Sequence, residues 1–365
     1  MALALATRPP ARQAATQPRP AAAVPRPAVE PAPTLPPKSA PTIAEGRLAG
    51  PLALQPTPPH GERLITAQKD PSIVYEEVSD EPVPHAATVL PPHPEAGERK
   101  PILLAALAHL ALKPALGPQP AWLKNARAMP EIRGRPMVAL VIDDAGVDRK
   151  RTERAMRLPP LVTMSFLPYA QEVAKQVQEA KERGHEIIVH VPMEPENGNV
   201  DPGPNALRVG DSSAEILRRL DWNLSRFAGY VGINNHMGSK FTQDAQAMRS
   251  VLEALKARGL LFLDSRTTPA TVGAKLAREL GLPTLERDVF LDNVDSRDAI
   301  AARLAEVART ARRDGYAIAI GHPRDATLDV LERWTREAES EGLAFVPLSA
   351  VMRALIAAGL DQARS

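Results

Sequence analysis

From Met137 onward the chain alternates continuous apolar runs with amphipathic stretches. The first run, MVALVI at 137–142, stops abruptly at Asp143-Asp144 and predicts a strand buried on both faces. Helical spacing follows near 149–157, then a strand at 161–166 and a helix from about 171 to 183, stopped by Gly184. A strand at 186–190 leads into a loop rich in proline and glycine that extends to Asp211. Ser212 and Ser213, with Glu215 and Ile216 behind them, read as a helix start, and that helix runs to about 227. The alternation continues with a strand at 230–233, a helix at 244–258 closed by Gly259, and a strand at 260–263. A helix near 272–280, a strand near 284–290, a helix at 299–313 and a strand at 316–320 come next. A helix around 328–341, a strand near 344–346 and a last helix complete the series. Repeated strand–helix units with continuously apolar strands predict an α/β fold with a parallel sheet covered on both sides. Seven or eight such units fit a (β/α)7–8 barrel, and no glycine-rich dinucleotide loop follows the first strand.

The chain before this region has a different texture. Of 38 prolines, 27 lie at or before Pro136, in runs such as Pro31-Ala32-Pro33 and Pro56-Thr57-Pro58-Pro59. Such runs cannot feed helix or sheet ladders, and without lasting apolar periodicity they cannot offset the entropy of ordering. Residues 1–133 are therefore expected to be a long disordered proline- and alanine-rich arm, with 134–365 the folded domain. A short helix at 101–112 (PILLAALAHLAL) is possible within the arm, at about a dozen residues well short of the ~20 that span a membrane. The apolar stretch at the start of the chain is too short to read as a signal peptide.

Charge and cysteine content narrow the function classes. The formal net charge is +2 with both signs interspersed, and no aromatic-plus-basic stripe is present, so a nucleic-acid partner is not expected. Cysteine is absent, which excludes disulfides and thiolate metal sites and removes any redox clue to compartment.

Parallel α/β folds carry their active sites at the C-terminal ends of strands. The polar residues there form an ordered set. The first strand ends in Asp143-Asp144, the third in His190 with Glu194 close behind, and the fourth in Asn234-Asn235-His236. Later strands end in Asp264-Ser265-Arg266, near Arg287, Asp288 and Asp292, and in Gly321-His322-Pro323. Of the eight histidines, four (His60, His85, His93, His109) lie in the arm, and His185 falls at a helix-to-strand turn on the opposite rim. The other three, His190, His236 and His322, each directly follow an apolar strand. Imidazole and carboxylate groups at one mouth suit a divalent metal ion, zinc first, or manganese, iron, cobalt or nickel. Asp292 and Asp295 read as caps for the following helix, Met193 and Met237 as packing residues, and the basic residues from Arg149 to Arg154 as a solvated helix face.

Six blocks together resemble the divergent polysaccharide deacetylase family, related to the carbohydrate esterases with a NodB-like barrel. They are Val-Ile-Asp143-Asp144-Ala-Gly, His190-Val-Pro-Met-Glu194-Pro, Gly232-Ile-Asn-Asn-His236-Met-Gly-Ser, Phe262-Leu-Asp264-Ser-Arg, Arg287-Asp-Val-Phe-Leu-Asp292 and Ile320-Gly-His322-Pro. The resemblance spans nearly the whole C-terminal domain and none of the arm. It implies that Asp143 is the general base, Asp144 and His190 are metal ligands, and His322 is the general acid that protonates the leaving amine. Asp264 and Arg287 would orient or charge-balance these groups. The usual deacetylase pattern has a second histidine four residues after the first; Glu194 stands there instead. Either Glu194 ligates or His236 completes the set, and the flanking Pro192 and Pro195 favour His236. The implied reaction is hydrolysis of an acetamide or ester on a cell-envelope polysaccharide by metal-activated water. The altered His-x-x-x-Glu block also supports a second class, a non-catalytic envelope module that binds glycan or a partner protein. The resemblance leans to the periplasm or cell envelope.

The arm reads as a spacer between the barrel and an anchor or tethering partner at the N-terminus. Limited proteolysis should leave an intact fragment beginning near residues 120–136; a resistant full-length chain would refute the assignment.

Overall fold

Strand β1 (Met137–Ala145) is buried along its whole length, and its alternation sorts the molecule into two cores. The computed structural model describes residues 119–360, so the expected arm through residue 118, with its helix at 101–112, lies outside the described residues. On β1, Val138, Leu140 and Ile142 face one apolar cluster that includes the surrounding helices, while Met137, Ala139 and Val141 face another. Strand β8 (Tyr316–Gly321) divides in the same way: Tyr316, Ile318 and Ile320 belong to the second cluster, Ala317 and Ala319 to the first. The second cluster is the barrel interior.

All strand pairs are parallel, in the order β6-β5-β4-β3-β2-β1-β8-β7. The intervening strands are β2 (Thr163–Phe166), β3 (Glu186–Met193), β4 (Gly232–Met237) and β5 (Leu261–Asp264). The single strand expected near 284–290 appears as two pieces, β6 (Thr284–Glu286) and β7 (Val289–Phe290). The first pairs with β5 and the second with β8, because the two neighbours diverge and one chain segment cannot follow both. Between the pieces, Arg287 N–H donates to Asp264 O at 3.0 Å and Asp288 N–H to Ile318 O at 2.8 Å. One broken strand thus joins the two ends of the sheet and produces the expected (β/α) barrel.

The base of the barrel is plugged. Strand β9 (Ala344–Phe345) pairs with Met137 and Val138, sharing the β1 edge whose other half pairs with β2. The helix Leu348–Ala358 places Leu348, Val351, Met352 and Leu355 in the interior cluster. Trp122 and Ile132, on the arm side of the 133/134 boundary expected from the sequence, are buried in the same cluster. Trp122 N–H also donates to Gly259 O at 2.9 Å, so the folded unit reaches back to the start of the described residues.

Glu186, at the start of β3, fastens this plug. Its carboxylate accepts from the Ser349 backbone N–H at 2.9 Å, from the Ser349 hydroxyl, and from Arg127 N–H at 3.4 Å, which caps the last helix. His185 sits on the same N-terminal rim, as expected, with its ring nitrogens against the carbonyls of Val162 and Met156. The basic face near Arg149 is more than a solvated surface. Arg151 pairs with Asp325 at 3.0 Å and Arg154 with Glu332 at 2.8 Å, joining the helices Arg149–Ala155 and Asp325–Ser340.

Burial raises the Glu186 carboxyl above its ordinary value of 4.5, although the Ser349 and Arg127 donors oppose the shift. A raised folded-state value means stability that is present below 4.5 and lost as pH rises through the folded value. Glu186→Gln should not show this loss. Denaturation midpoints at about pH 4 and about pH 8 should reveal a wild type that weakens relative to Glu186→Gln at the higher pH. Parallel pH profiles would refute it.

Candidate metal centre

Alternation places most of the mouth. On β1 the inward series 137, 139, 141 continues to Asp143, so Asp144 should point outward. Instead the β1–β2 register shifts between Ile142 and Ala145, and Asp144 adopts the left-handed φ of +55°. That bulge turns both neighbouring carboxylates into one pocket, where both are buried. His190 follows the inward Ile188 on β3, and His322 follows the inward Ile320 at the end of β8. Asn234 and His236 share the inward side of β4.

These side chains converge. Asp144 Oδ1 lies 3.0 Å from His236 Nδ1 and 3.2 Å from His190 Nε2, and the two ring nitrogens are 3.2 Å apart. Asp143 Oδ2 is 3.6 Å from His190 Nε2, and His322 Nε2 is 4.0 Å from Asp144 Oδ2. Neither oxygen of Asp144 has a hydrogen-bond partner of acceptable geometry, although both are fully buried. A buried carboxylate without donors is costly unless a positive charge sits against it. Burial alone would raise the Asp144 carboxyl, but the His236, His190 and His322 rings together hold it well below the usual carboxylate range. Burial likewise opposes a charged His190, and Asp143 and Asp144 outweigh it and push the ring up. Donor atoms around one zinc ion at about 2.0–2.2 Å stand roughly 3.3–3.6 Å apart in a tetrahedron, so the observed spacing and donor set fit a divalent cation.

His322 is anchored from behind. Its Nδ1 donates to Asp292 Oδ1 at 2.9 Å, and its backbone N–H donates to Asp292 Oδ2 at 2.7 Å. The Thr327 hydroxyl also donates to Oδ2 at 2.7 Å. Asp292 is therefore a partner of the histidine and not the helix cap expected from the sequence; Ser296 caps that helix, accepting from Ala299 N–H. Burial tends to lower the His322 ring, and the Asp292 carboxylate overrides it, so the ring stays protonated to higher pH than usual. Sequence reasoning passed over Asp292 because capping is the common role of an aspartate just before a helix. It also left Asn234 and Ser265 without roles, although both sit on inward positions.

Three expected site residues lie elsewhere. Glu194 follows the end of β3, where its carboxylate accepts from Lys240 Nζ at 2.6 Å and from Val209 N–H at 2.7 Å. Burial raises that carboxyl, but Lys240 and Val209 hold it below its ordinary value, and it takes no part in the Asp144–His190–His236 group. Asp264 occupies an outward position between the inward Leu263 and Ser265. It accepts from Thr271 Oγ1 at 2.9 Å and from Ala274 N–H at 3.0 Å, the first turn of helix Gly273–Glu279. Arg287 donates to the carbonyls of Ser265 and Arg266 at 2.7 and 2.9 Å, and its guanidinium covers Phe290, whose ring meets His322 edge-on. Through these contacts Asp264 and Arg287 shape the wall at Ser265 and Arg266, and Asp264 is not part of the Asp144–His190–His236 group.

A family model described as divergent polysaccharide deacetylase matches residues 140–352. The chain is 36% identical over 200 residues to an uncharacterized protein of Haemophilus influenzae, covering 54% of this chain and 71% of that one. It is 35% identical over 211 residues to the uncharacterized protein YibQ of Escherichia coli, covering 57% and 64%. A crystal structure of an uncharacterized protein from Agrobacterium tumefaciens superposes with a TM-score of 0.62 at 30% identity, covering 65% of this chain and all of that one.

The geometry separates the two candidates for the third ligand. Glu194→Gln should leave the affinity of the full chain for Zn2+ within about twofold, while His236→Ala should lower it by about 100-fold or more. Equal losses in a chelator competition would overturn the assignment.

Proposed function

The chain belongs to the divergent polysaccharide deacetylase family, and on that footing we propose that it hydrolyses an acyl group, acetyl first, from a carbohydrate of the cell envelope. The observation that carries this reading is the donor-free Asp144 carboxylate facing two imidazole nitrogens, beside Asp143 and an anchored His322.

Asp144, His190 Nε2 and His236 Nδ1 would hold a divalent cation, zinc in our reading. Such an ion supplies Lewis-acid polarisation of a carbonyl and activation of water. Asp143 lies next to this group but outside it, which leaves its carboxylate able to take the proton of the attacking water. As the water oxygen bonds to the acyl carbon, Asp143 receives that proton. His322 then gives its Nε2 proton to the leaving nitrogen while the C–N bond breaks, yielding a free amine and a carboxylic acid. Asp292 keeps the other ring nitrogen of His322 as a donor, so the reactive nitrogen is always Nε2. Phe290, Ile320 and Met237 form the apolar side of the small pocket, which suits a short acyl chain and limits water. The expected arm would give the barrel reach from a tether within the envelope. Among the described residues no helix is long and apolar enough to cross a membrane.

Turnover of an acetylated chitooligosaccharide or an aryl acetate by the zinc-loaded chain tests the reading. Asp143→Asn should reduce kcat by about 10²–10⁴-fold. A general acid must be protonated, so activity falls as pH rises through the His322 value, which Asp292 raises. Asp292→Asn should therefore move the alkaline limb of the pH profile to lower pH. A folded, zinc-loaded wild type that turns over neither substrate overturns the hydrolase and leaves the glycan- or protein-binding module.

A further inference from the structure

Asn234 is fully buried, and its amide touches three strands besides its own and Ser265, which directly follows a fourth. Its Oδ1 accepts from Ser165 Oγ at 2.6 Å and from His190 Nδ1 at 2.9 Å. Its Nδ2 donates to both oxygens of Asp143 at 2.9 Å and to Ser265 Oγ at 3.0 Å. The direction of this chain is dictated from one end. An ionised Asp143 can only accept, so the amide nitrogen must face it; the reversed amide would set oxygen against oxygen. The amide oxygen then faces His190, which must carry its proton on Nδ1. The lone pair of Nε2 is left pointing at Asp144 and His236.

We propose that Asn234 is a positioning residue whose amide couples the proton-accepting Asp143 to the cation ligand His190. Histidine ligands commonly pass their second N–H straight to a carboxylate or a carbonyl, which fixes the tautomer and strengthens the ligand. Here an amide stands between, so the carboxylate that orients the ligand stays available to take a proton. The coupling rests on the reading of the Asp144–His190–His236 group as a cation site. It adds that Asp143, whose Oδ2 already lies 3.6 Å from His190 Nε2, is also linked to the opposite ring nitrogen through Asn234.

The test uses the full chain with Zn2+ alone as probe, by chelator competition, alongside thermal melts of the metal-free proteins. Asn234→Ala should weaken zinc binding by about 10–100-fold. Asn234→Asp still offers His190 an acceptor but cannot donate to Asp143, so it should retain zinc affinity within about threefold or better while losing turnover. Asp143→Asn should weaken zinc binding in the wild type and much less in the Asn234→Ala background. Wild-type affinity in Asn234→Ala, equal losses in the Ala and Asp variants, or additive effects of Asp143→Asn and Asn234→Ala would each overturn the coupling. Should Asn234→Ala fail to fold, ring-15N NMR of the zinc-loaded wild type decides: protonation at His190 Nδ1 supports the coupling, and protonation at Nε2 overturns it. A wild type that binds no zinc overturns both the coupling and the cation site, a result distinct from zinc binding that ignores Asn234.

Discussion

The left-handed turn at Asp144 is the constraint on which the mouth of the barrel depends. In a regular strand, consecutive side chains face opposite sides of the sheet, so Asp143 and Asp144 could not share a pocket. The slip of the β1–β2 register and the positive φ at Asp144 suspend that rule for one residue. Aspartate tolerates this conformation better than most residues, yet it is still strained, and the strain is held by strands packed on both edges of β1. The outcome is two carboxylates with different roles from adjacent positions: Asp143 is satisfied by the Asn234 amide, while Asp144 has no donor and faces imidazole nitrogens.

Around that turn, two of the three histidine rings at the mouth have one nitrogen committed and one presented. Asp292 takes Nδ1 of His322, and Asn234 takes Nδ1 of His190. Both histidines therefore show Nε2 to the pocket, and both commitments are made by buried groups in surroundings where electrostatic interactions are strong. Asp264 and Arg287 serve the same end at one remove. They hold the chain at Ser265 and Arg266, whose backbone is itself left-handed at Arg266, and so keep Ser265 beside Asn234.

The opposite end of the barrel is built for cohesion. The last helix, β9, Trp122 and Ile132 fill the interior from below, and Glu186 ties the first turn of that helix to β3. Apolar packing at the base and a buried polar cluster at the mouth coexist because the strands carry the two environments at their two ends.

The sequence by itself determined the strand–helix alternation, the parallel sheet, and the gathering of His190, His236 and His322 with Asp143 and Asp144 at strand ends, since apolar runs and the residues that stop them are local signals. It could not separate inward from outward positions, because strands buried on both faces read as apolar at every residue. That is why Asp264 looked like a site residue and proved to cap a helix, and why Asn234 went without a role. Tertiary structure alone decided the inward turn of Asp144, the capture of Glu194 by Lys240 and Val209, the pairing of Asp292 with His322, and the breaking of the sixth strand between two neighbours. Each depends on residues far apart in the chain competing for one position in space, and hydrophobic pattern carries no record of that competition.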